Sequence, residues 1–391
     1  MGRLCTVRDV DWGGKTAVVR VDFNVPMKDG RVADDTRIRA ALPTINYLRE
    51  HSARVVLLSH LGRPDGKPNP KDSLEPVAER VGELLEAPCP FGADCLGPPA
   101  EAAVRMIGPG EVVLLENVRF HAEEEANDPE FARQLAQLGD TFVNDAFGTA
   151  HRAHASTEGL AHHLPAVAGL LMEKEIVTLG QALENPKRPF VAVIGGAKVS
   201  SKLAVLRNLI DRVDRLLIGG GMANTFLKAQ GREVGRSLLE PDLVETARSL
   251  LSRGDKIVLP SDVIVTADMK AEAPTRTCDV GEVGPDEMIV DIGPRSAGTF
   301  AAEIRPAGTV LWNGPMGVFE NPRFAAGTLA VARAMAEAGA TTIVGGGESV
   351  QAVEQAGLAD KLSHVSTGGG ASLEFIEGKV LPGVAALKHD C

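Results

Sequence analysis

The 391-residue chain has no apolar run near the ~18 residues that a membrane-spanning helix needs, which excludes an integral membrane protein of the helical kind. It has no CxxC pair among its five cysteines, Cys5, Cys89, Cys95, Cys278 and Cys391. An odd count without that spacing fits neither a disulfide framework nor a zinc site, and the expectation is a reducing, cytoplasmic home. Positive charge is also short: 41 Lys and Arg stand against 52 Asp and Glu, for a net charge of −11. Nucleic acid and acidic lipid are bound through broad basic surfaces, so neither is an expected partner. The opening MGRLCTVRDV has no apolar signal core, and export is not expected. Met1-Gly2 with Thr6 fits the bare N-myristoylation pattern, but neither a basic patch nor a second lipid site follows, so the match is treated as chance. No short internal repeat occurs. GxGxxG follows no strand, no acidic residue ends a second strand to take a ribose, and GxxxxGK[ST] is absent. Those absences count against a nicotinamide-dependent dehydrogenase and against the commonest phosphate-loop kinases.

What is present is an ordinary globular composition, 44% apolar and 24% charged, in a length that implies two domains at roughly 150 residues each. β-type runs alternate with helical patterns of 10–15 residues. That alternation predicts an α/β protein of parallel sheets with crossover helices. Strands are expected at Thr16–Val25, Val55–His60, Val112–Val118 and Thr141–Phe147, then at Phe190–Ile194, Arg215–Ile218, Lys256–Val265, Met288–Ile292, Thr309–Trp312, Thr342–Val344 and Lys361–Ser366. The stretch GLLMEKEIVTLGQALENPKRP reads as an interdomain helix and hinge. The expected division is 1-170, a hinge at 171-188, and 189-375, with an apolar tail at 376-391 able to dock elsewhere.

The stretch VAVIGGAKVSSK is the centre of the pattern: an apolar strand breaks at Gly195-Gly196 and is expected to restart as a helix carrying Lys198 and Lys202 on one face. Cations in the first turn of a helix oppose its dipole and repel each other, so an anion is expected there. Freed N–H groups and close-approach glycines make such a start a phosphate site, and two lysines point to a polyphosphate. Ligands in such sheets bind beyond the carboxyl ends of the strands, and the two halves end their strands differently. In the first half the ends carry Asp22 and Asn24, His60 and Arg63, Arg119, and His151, Arg152 and His154, with Arg37 and Arg39 in DDTRIRAALPTI. In the second half they carry glycine, in IGGAK, IGGG, DIGP, NGPMG, VGGGES and STGGG. Guanidinium groups suit a compact phosphorylated acid, whereas backbone-lined glycine turns suit a nucleotide tail. His151 and His154 read more readily as part of a plain polar loop between Phe147 and Ser156.

VRVDFNVP, SHLGRP, ENVRF, DAFGTAHRAHAS, LLMEKE, RPFVAVIGGAKVSSK, LWNGPMGVFE and STGGGASLEF stand in order and at the spacing of the phosphoglycerate kinase family, and the chain resembles that family over its whole length. The resemblance implies two doubly wound, Rossmann-like lobes joined by a hinge helix, with the C-terminal segment packing back on the first. It implies that Asp22, Phe23, Asn24, Arg37, His60, Leu61, Gly62, Arg63, Arg119 and Arg152 hold the phosphoglycerate. It gives the nucleotide to Gly195, Lys202, Gly219, Gly293, Asn313, Glu320 and the turn Gly346, Gly347, Glu348, Ser349. Lys198, Arg37 and the helix start at Gly368, Gly369 and Gly370 would surround the phosphoryl in flight. Two positions depart from the family pattern: Glu348 stands where Asp is usual at the nucleotide's Mg²⁺, and Ser201 where Asp is common. Glu348 keeps a hard oxygen for that metal, one methylene further out.

The implied reaction moves a phosphoryl group between 1,3-bisphosphoglycerate and ADP, giving 3-phosphoglycerate and MgATP, in a monomer acting on small molecules. A carboxylate nucleophile is already ionised, so no general base is needed, and positioning plus electrostatic stabilisation should suffice. His60 is then a substrate ligand rather than a base. The alternative from another class is a catalytically idle metabolite-binding protein on the same fold, against which the presence of both Lys198 and Arg37 speaks.

Overall fold

The computed structural model describes residues 3–270, 272–388 and 391; the Met1-Gly2 pattern lies outside them. The chain forms two compact units, Met1–Val177 with Val380–Cys391, and Thr178–Lys379.

The first unit is built on the strands β1 (Thr16–Arg20), β4 (Arg54–Leu58), β5 (Phe91–Gly92), β6 (Val112–Leu115), β7 (Thr141–Asn144) and β8 (Ala166–Ala168), with β2 (Met27–Lys28) and β3 (Arg31–Val32) forming a small hairpin beside them. The six main strands are all parallel, in the order β5-β6-β4-β1-β7-β8. Every residue of β1, β6 and β7 is buried, as expected of strands covered by crossover helices on both faces. The order turns at β1, whose neighbours β4 and β7 come from opposite directions of winding, so the crevice for a ligand opens at the carboxyl ends of these three strands. Residues 380–391 complete this unit through backbone bonds: Gly383 N–H to Ala150 O at 2.9 Å, Cys5 N–H to Lys388 O at 2.9 Å and Lys388 N–H to Ala166 O at 3.1 Å.

One expectation fails here. Cys5 and Cys391 form a disulfide, with Cα atoms 5.7 Å apart and 386 positions apart in sequence. Spacing rules test neighbouring cysteines, and this pair meets only because the tail returns to the first strand-bridge of the unit. Cys89, Cys95 and Cys278 stay as thiols.

The second unit has β9 (Phe190–Ile194), β10 (Arg215–Ile218), β11 (Ile257–Val258), β12 (Asp262–Thr266), β13 (Thr275–Asp279), β14 (Met288–Ile292), β15 (Thr309–Asn313), β16 (Thr341–Gly345) and β17 (His364–Val365). Six of these make a parallel sheet in the order β11-β10-β9-β15-β16-β17, which turns between β9 and β15. The other three form an antiparallel sheet, β13-β12-β14. The run expected as one strand at Lys256–Val265 is therefore two, in different sheets. Pro260 separates them, since proline has no N–H for a ladder and fixes its own backbone angle. The strands of the first half are shorter than expected: β1 stops at Arg20, and Val21 to Val25 form a loop that carries Asp22 and Asn24.

Candidate functional site

In the first unit, a positively charged cluster assembles at the ends of β1, β4, β6 and β7. Arg20, the last residue of β1, is fully buried. Its Nε donates to Ser156 Oγ at 2.7 Å, a second nitrogen donates to Val21 O, and Nη2 lies 3.1 Å from His60 Nδ1. Ser156 in turn donates to Glu124 Oε1 at 2.5 Å, and its N–H to Glu124 Oε2 at 2.8 Å. Glu124 is as buried as Arg20, and Ser156 links the two opposite charges beneath the cluster. Arginine can only donate, so His60 Nδ1 accepts from it and the ring proton sits on Nε2. Burial, and after it Arg20, Arg119, Arg37 and Arg152, hold His60 well below its ordinary 6.5. A neutral His60 with Nδ1 turned to Arg20 has only the Nε2 proton left to donate, which suits binding an anion rather than accepting a proton.

The other expected ligands surround this centre. Arg37, in the first turn of the helix Thr36–Glu50, donates to both oxygens of Asp22 at 3.2 Å and to Asn24 O at 3.1 Å. Asn24 Oδ1 accepts from Gly62 N–H at 2.9 Å, which ties the β1 loop to the β4 loop. Gly62 has φ +64°, and a Cβ there would lie 2.2 Å from Asp72 Oδ1, so the turn requires glycine. Asn117 Nδ2 bonds Leu61 O at 2.7 Å and Asp72 O at 2.8 Å, fixing the same turn from β6. Arg119 is 4% exposed; one nitrogen donates to Gly62 O at 2.8 Å, its Nε is 3.2 Å from Glu125 Oε1, and its buried Nη2 has no hydrogen-bond partner among the described residues. A buried guanidinium with an unused donor is costly unless an anion completes it. Arg152 Nε donates to His151 Nε2 at 3.2 Å, Phe23 is buried under the loop, and Arg63 is exposed. Arg39, read together with Arg37, instead pairs with Asp35 on the outer side of its helix. Burial, then Arg119, Arg20 and Arg152, brings His154 down to about 4.

In the second unit, a cleft of about 360 Å³ opens beyond β9, β10 and β14. Gly196, Ala197, Gly220 and Gly221 form one wall, Pro315 to Val318 another, and Leu238, Met288 and Ile292 give it apolar faces, with Glu320 and Glu348 at its edge. Gly220 has φ +69°, and a Cβ there would be 2.7 Å from Gly196 N and O. Gly195 and Gly219 back these walls: their added Cβ atoms would meet Pro315 O at 2.1 Å and Met316 Sδ at 2.4 Å. Lys202 is part-buried and bonds Asn313 Oδ1; its burial lowers the ammonium's affinity for its proton, while Glu348 and Glu377 oppose that. Asn313 Nδ2 is buried without a partner among the described residues. Ser349 Oγ accepts from Gly314 N–H at 2.6 Å, locking the β15 turn to the helix Gly347–Gln355. Gly368 lies just before the short helix Gly370–Ile376, which Gly369 caps at φ +51°. Gly293 packs against the Asp262 carboxylate instead of lining the cleft.

Lys198 and Lys202 are not on a helix. The helix there is Leu203–Ile210, with Lys202 as its N-cap, and Lys198 is exposed in the turn before it. Val199 is buried as an anchor, Ser200 binds Glu240 through Oγ and N–H, and Ser201 Oγ donates to Lys198 O. Serine side chains that compete for backbone groups delay the helix by a turn. The lysines therefore extend from a loop, with less of the dipole penalty that the helical reading assigned them.

Sequence reasoning missed Arg20, Glu124 and Ser156 in the first unit and Leu238, Met288, Val318 and Asp291 in the second. Arg20 leaves a signal, a charge directly after the apolar run Ala17–Val19; Leu238, Met288 and Val318 leave none, since they are ordinary apolar residues from distant segments.

The sequence profile of the family Phosphoglycerate kinase matches residues 7–379. The chain is 63% identical to the phosphoglycerate kinase of Chloroflexus aurantiacus and 59% to that of Moorella thermoacetica, in each case over 98% of both chains. It is similar to the solved phosphoglycerate kinase of Coxiella burnetii, with TM-score 0.90, 43% identity and 98% of both chains covered. It is also similar to that of Pyrococcus horikoshii, with TM-score 0.85, 37% identity, and 99% of this chain and 98% of that one covered.

Proposed function

The chain belongs to the phosphoglycerate kinase family, and from that premise we propose how its residues divide the work. The reaction is reversible transfer of a phosphoryl group between 1,3-bisphosphoglycerate and ADP, giving 3-phosphoglycerate and ATP. The first unit takes the acid. Arg37, Arg119 and Arg152 neutralise its phosphate and carboxylate, and His60 donates from Nε2. The observation that supports this assignment is the buried Arg119 nitrogen, unpartnered among the described residues, in a cluster of arginines whose charge is felt at His60. Asp22, paired to Arg37, and Asn24, which holds the Gly62 turn, orient the donors.

The cleft of the second unit takes the nucleotide, its apolar faces against the base and its glycine turns toward the phosphates. Lys202 and Lys198 serve the phosphate chain. Mg²⁺ accompanies ATP and ADP in this family. The exposed carboxylate of Glu348, beside Lys202, suits a hard cation that keeps several waters and phosphate oxygens as ligands, and the metal's contribution is to neutralise charge on the phosphates. In one direction the terminal oxygen of ADP attacks the acyl phosphorus and a carboxylate leaves, in the other these roles exchange, and neither nucleophile needs a base, so the protein's part is binding, orientation and exclusion of water. We assign 1-170 to the acid, 171-188 to a hinge and 189-375 to the nucleotide; direct in-line transfer then requires closure that brings the two bound substrates together. The cytoplasm is the proposed location. Among the described residues no helix is long and apolar enough to cross a membrane.

The test is a coupled assay of ATP consumption dependent on 3-phosphoglycerate, run on the wild type and on Arg152→Ala. Activity is expected in the former. In the latter, the KM for 3-phosphoglycerate should rise far more than that for ATP. Equal effects on both KM values would remove Arg152 from the acid pocket, and no ATP consumption by the wild type would leave only an idle binding protein.

A further inference from the structure

Asp291 lies in β14 on the floor of the cleft and is 2% exposed. Its Oδ1 accepts from Ile292 N–H at 2.9 Å, and its Oδ2 accepts from Gly327 N–H at 2.8 Å, in the first turn of the helix Ala326–Glu337. Two glycines press against the same carboxylate: a Cβ on Gly317 or Gly327 would lie 2.5 or 2.4 Å from Oδ1. Gly317 belongs to the turn Pro315 to Val318 that forms a cleft wall, and that turn is also anchored by Met316 N–H on Thr328 Oγ1 at 3.0 Å, by Val318 N–H on Val290 O at 2.9 Å, and by Gly196 N–H on Pro315 O at 2.9 Å and Gly220 N–H on Met316 O at 3.0 Å. Thr328 rides on the helix whose start Asp291 holds. A carboxylate is thus placed where strand, wall turn and helix start converge, and the glycines are needed to let it approach. Burial pushes its proton affinity up to about 7 against the pull of both N–H groups, so retaining a carboxyl here costs stability that an apolar residue would not. No apolar residue, however, could accept from two converging backbone donors.

We propose that Asp291 is a positioning residue for the nucleotide: acting through the Gly327 helix start and the Gly317 turn, it sets the width of the cleft and with it nucleotide affinity. This rests on the assignment of the cleft to the nucleotide. The apolar faces of the cleft, Leu238, Met288 and Ile292 with the Pro315 to Val318 turn, suit a flat heteroaromatic base.

The experiment compares wild type, Asp291→Ala and Asp291→Asn by calorimetric titration with MgADP and, separately, with 3-phosphoglycerate, each alongside a thermal melt. In Asp291→Ala, the MgADP Kd is expected to rise roughly tenfold or more, the order set by losing a hydrogen bond to a charged acceptor, with the acid's Kd unchanged. Asp291→Asn keeps a carbonyl acceptor and should recover part of the loss; it also serves if the alanine variant does not fold. Loss of melting temperature with an unaltered MgADP Kd in the folded protein would make Asp291 a purely structural residue and overturn the proposal. Gly220→Ala separates the two layers. If that variant, with its cleft obstructed, binds MgADP as tightly as the wild type, the cleft assignment falls and the role of Asp291 with it; if it loses MgADP while both Asp291 variants keep it, only the positioning role falls.

Discussion

Replacing Asp145 by asparagine is expected to stabilise the first unit as pH rises, although the residue looks indispensable. Asp145 follows β7, is fully buried, and its Oδ1 accepts from Leu171 N–H at 3.0 Å and Met172 N–H at 3.2 Å, capping the helix Leu170–Glu184. Burial dominates over Thr44 and those two N–H groups and lifts the carboxyl from 3.8 to about 7. An acid whose folded value is raised keeps its proton in the folded chain after the unfolded chain has released it. Between those two values the folded state binds more protons, so stability falls as pH rises, and above the folded value the loss is complete. The full gap, at ~1.4 kcal/mol per pH unit, is roughly 4 kcal/mol. Asparagine has no proton to lose, and its carbonyl can still cap both N–H groups. From about pH 5 to pH 8 the variant should gain roughly 2–3 kcal/mol on the wild type, most of it below pH 7. The assay is urea unfolding followed by fluorescence. Trp12 and Trp312 are buried in different units, so a Trp312→Phe background leaves Trp12 reporting on the first unit alone. Comparing the variant with the wild type cancels every other titrating group. Parallel stability profiles across this range would show that Asp145 is ionised throughout and refute the reasoning.

Glu124→Gln should destabilise the first unit by ~3–5 kcal/mol, because buried Arg20 loses its countercharge. The paired change Arg20→Met with Glu124→Leu should restore most of that in denaturant unfolding, and a double variant as unstable as the single would contradict the buried-charge account. Gly220→Ala should abolish MgADP binding in calorimetry and leave 3-phosphoglycerate binding intact, since its Cβ meets backbone atoms of Gly196 and Pro315 at 2.7–2.8 Å and cannot be relieved by a side-chain rotation. Lys198→Ala should lower kcat by orders of magnitude with little change in 3-phosphoglycerate affinity. A near-normal kcat would take Lys198 out of phosphoryl transfer.

The sequence alone determined most of the architecture. Apolar β-branched runs at regular intervals dictate parallel strands buried on both faces, and ligand groups must then follow their carboxyl ends, which is where Asp22, His60, Arg119 and the glycine turns stand. The glycine-ended strands of the second half were legible as motifs, whereas the positive φ that Gly62 and Gly220 adopt came only with the fold. Tertiary structure decided what depends on segments far apart in the chain. Pro260 sent one expected strand into two sheets, and Ser200 and Ser201 held Lys198 and Lys202 off the helix. The returning tail brought Cys391 to Cys5. Arg20 and Glu124, 104 positions apart by their numbers, became a pair only after β1 and the Ser156 loop were packed. The physical reason is range: periodicity and backbone angles are set by near neighbours, whereas burial of a charge, and the partner that makes it tolerable, are set by whatever the completed fold places alongside.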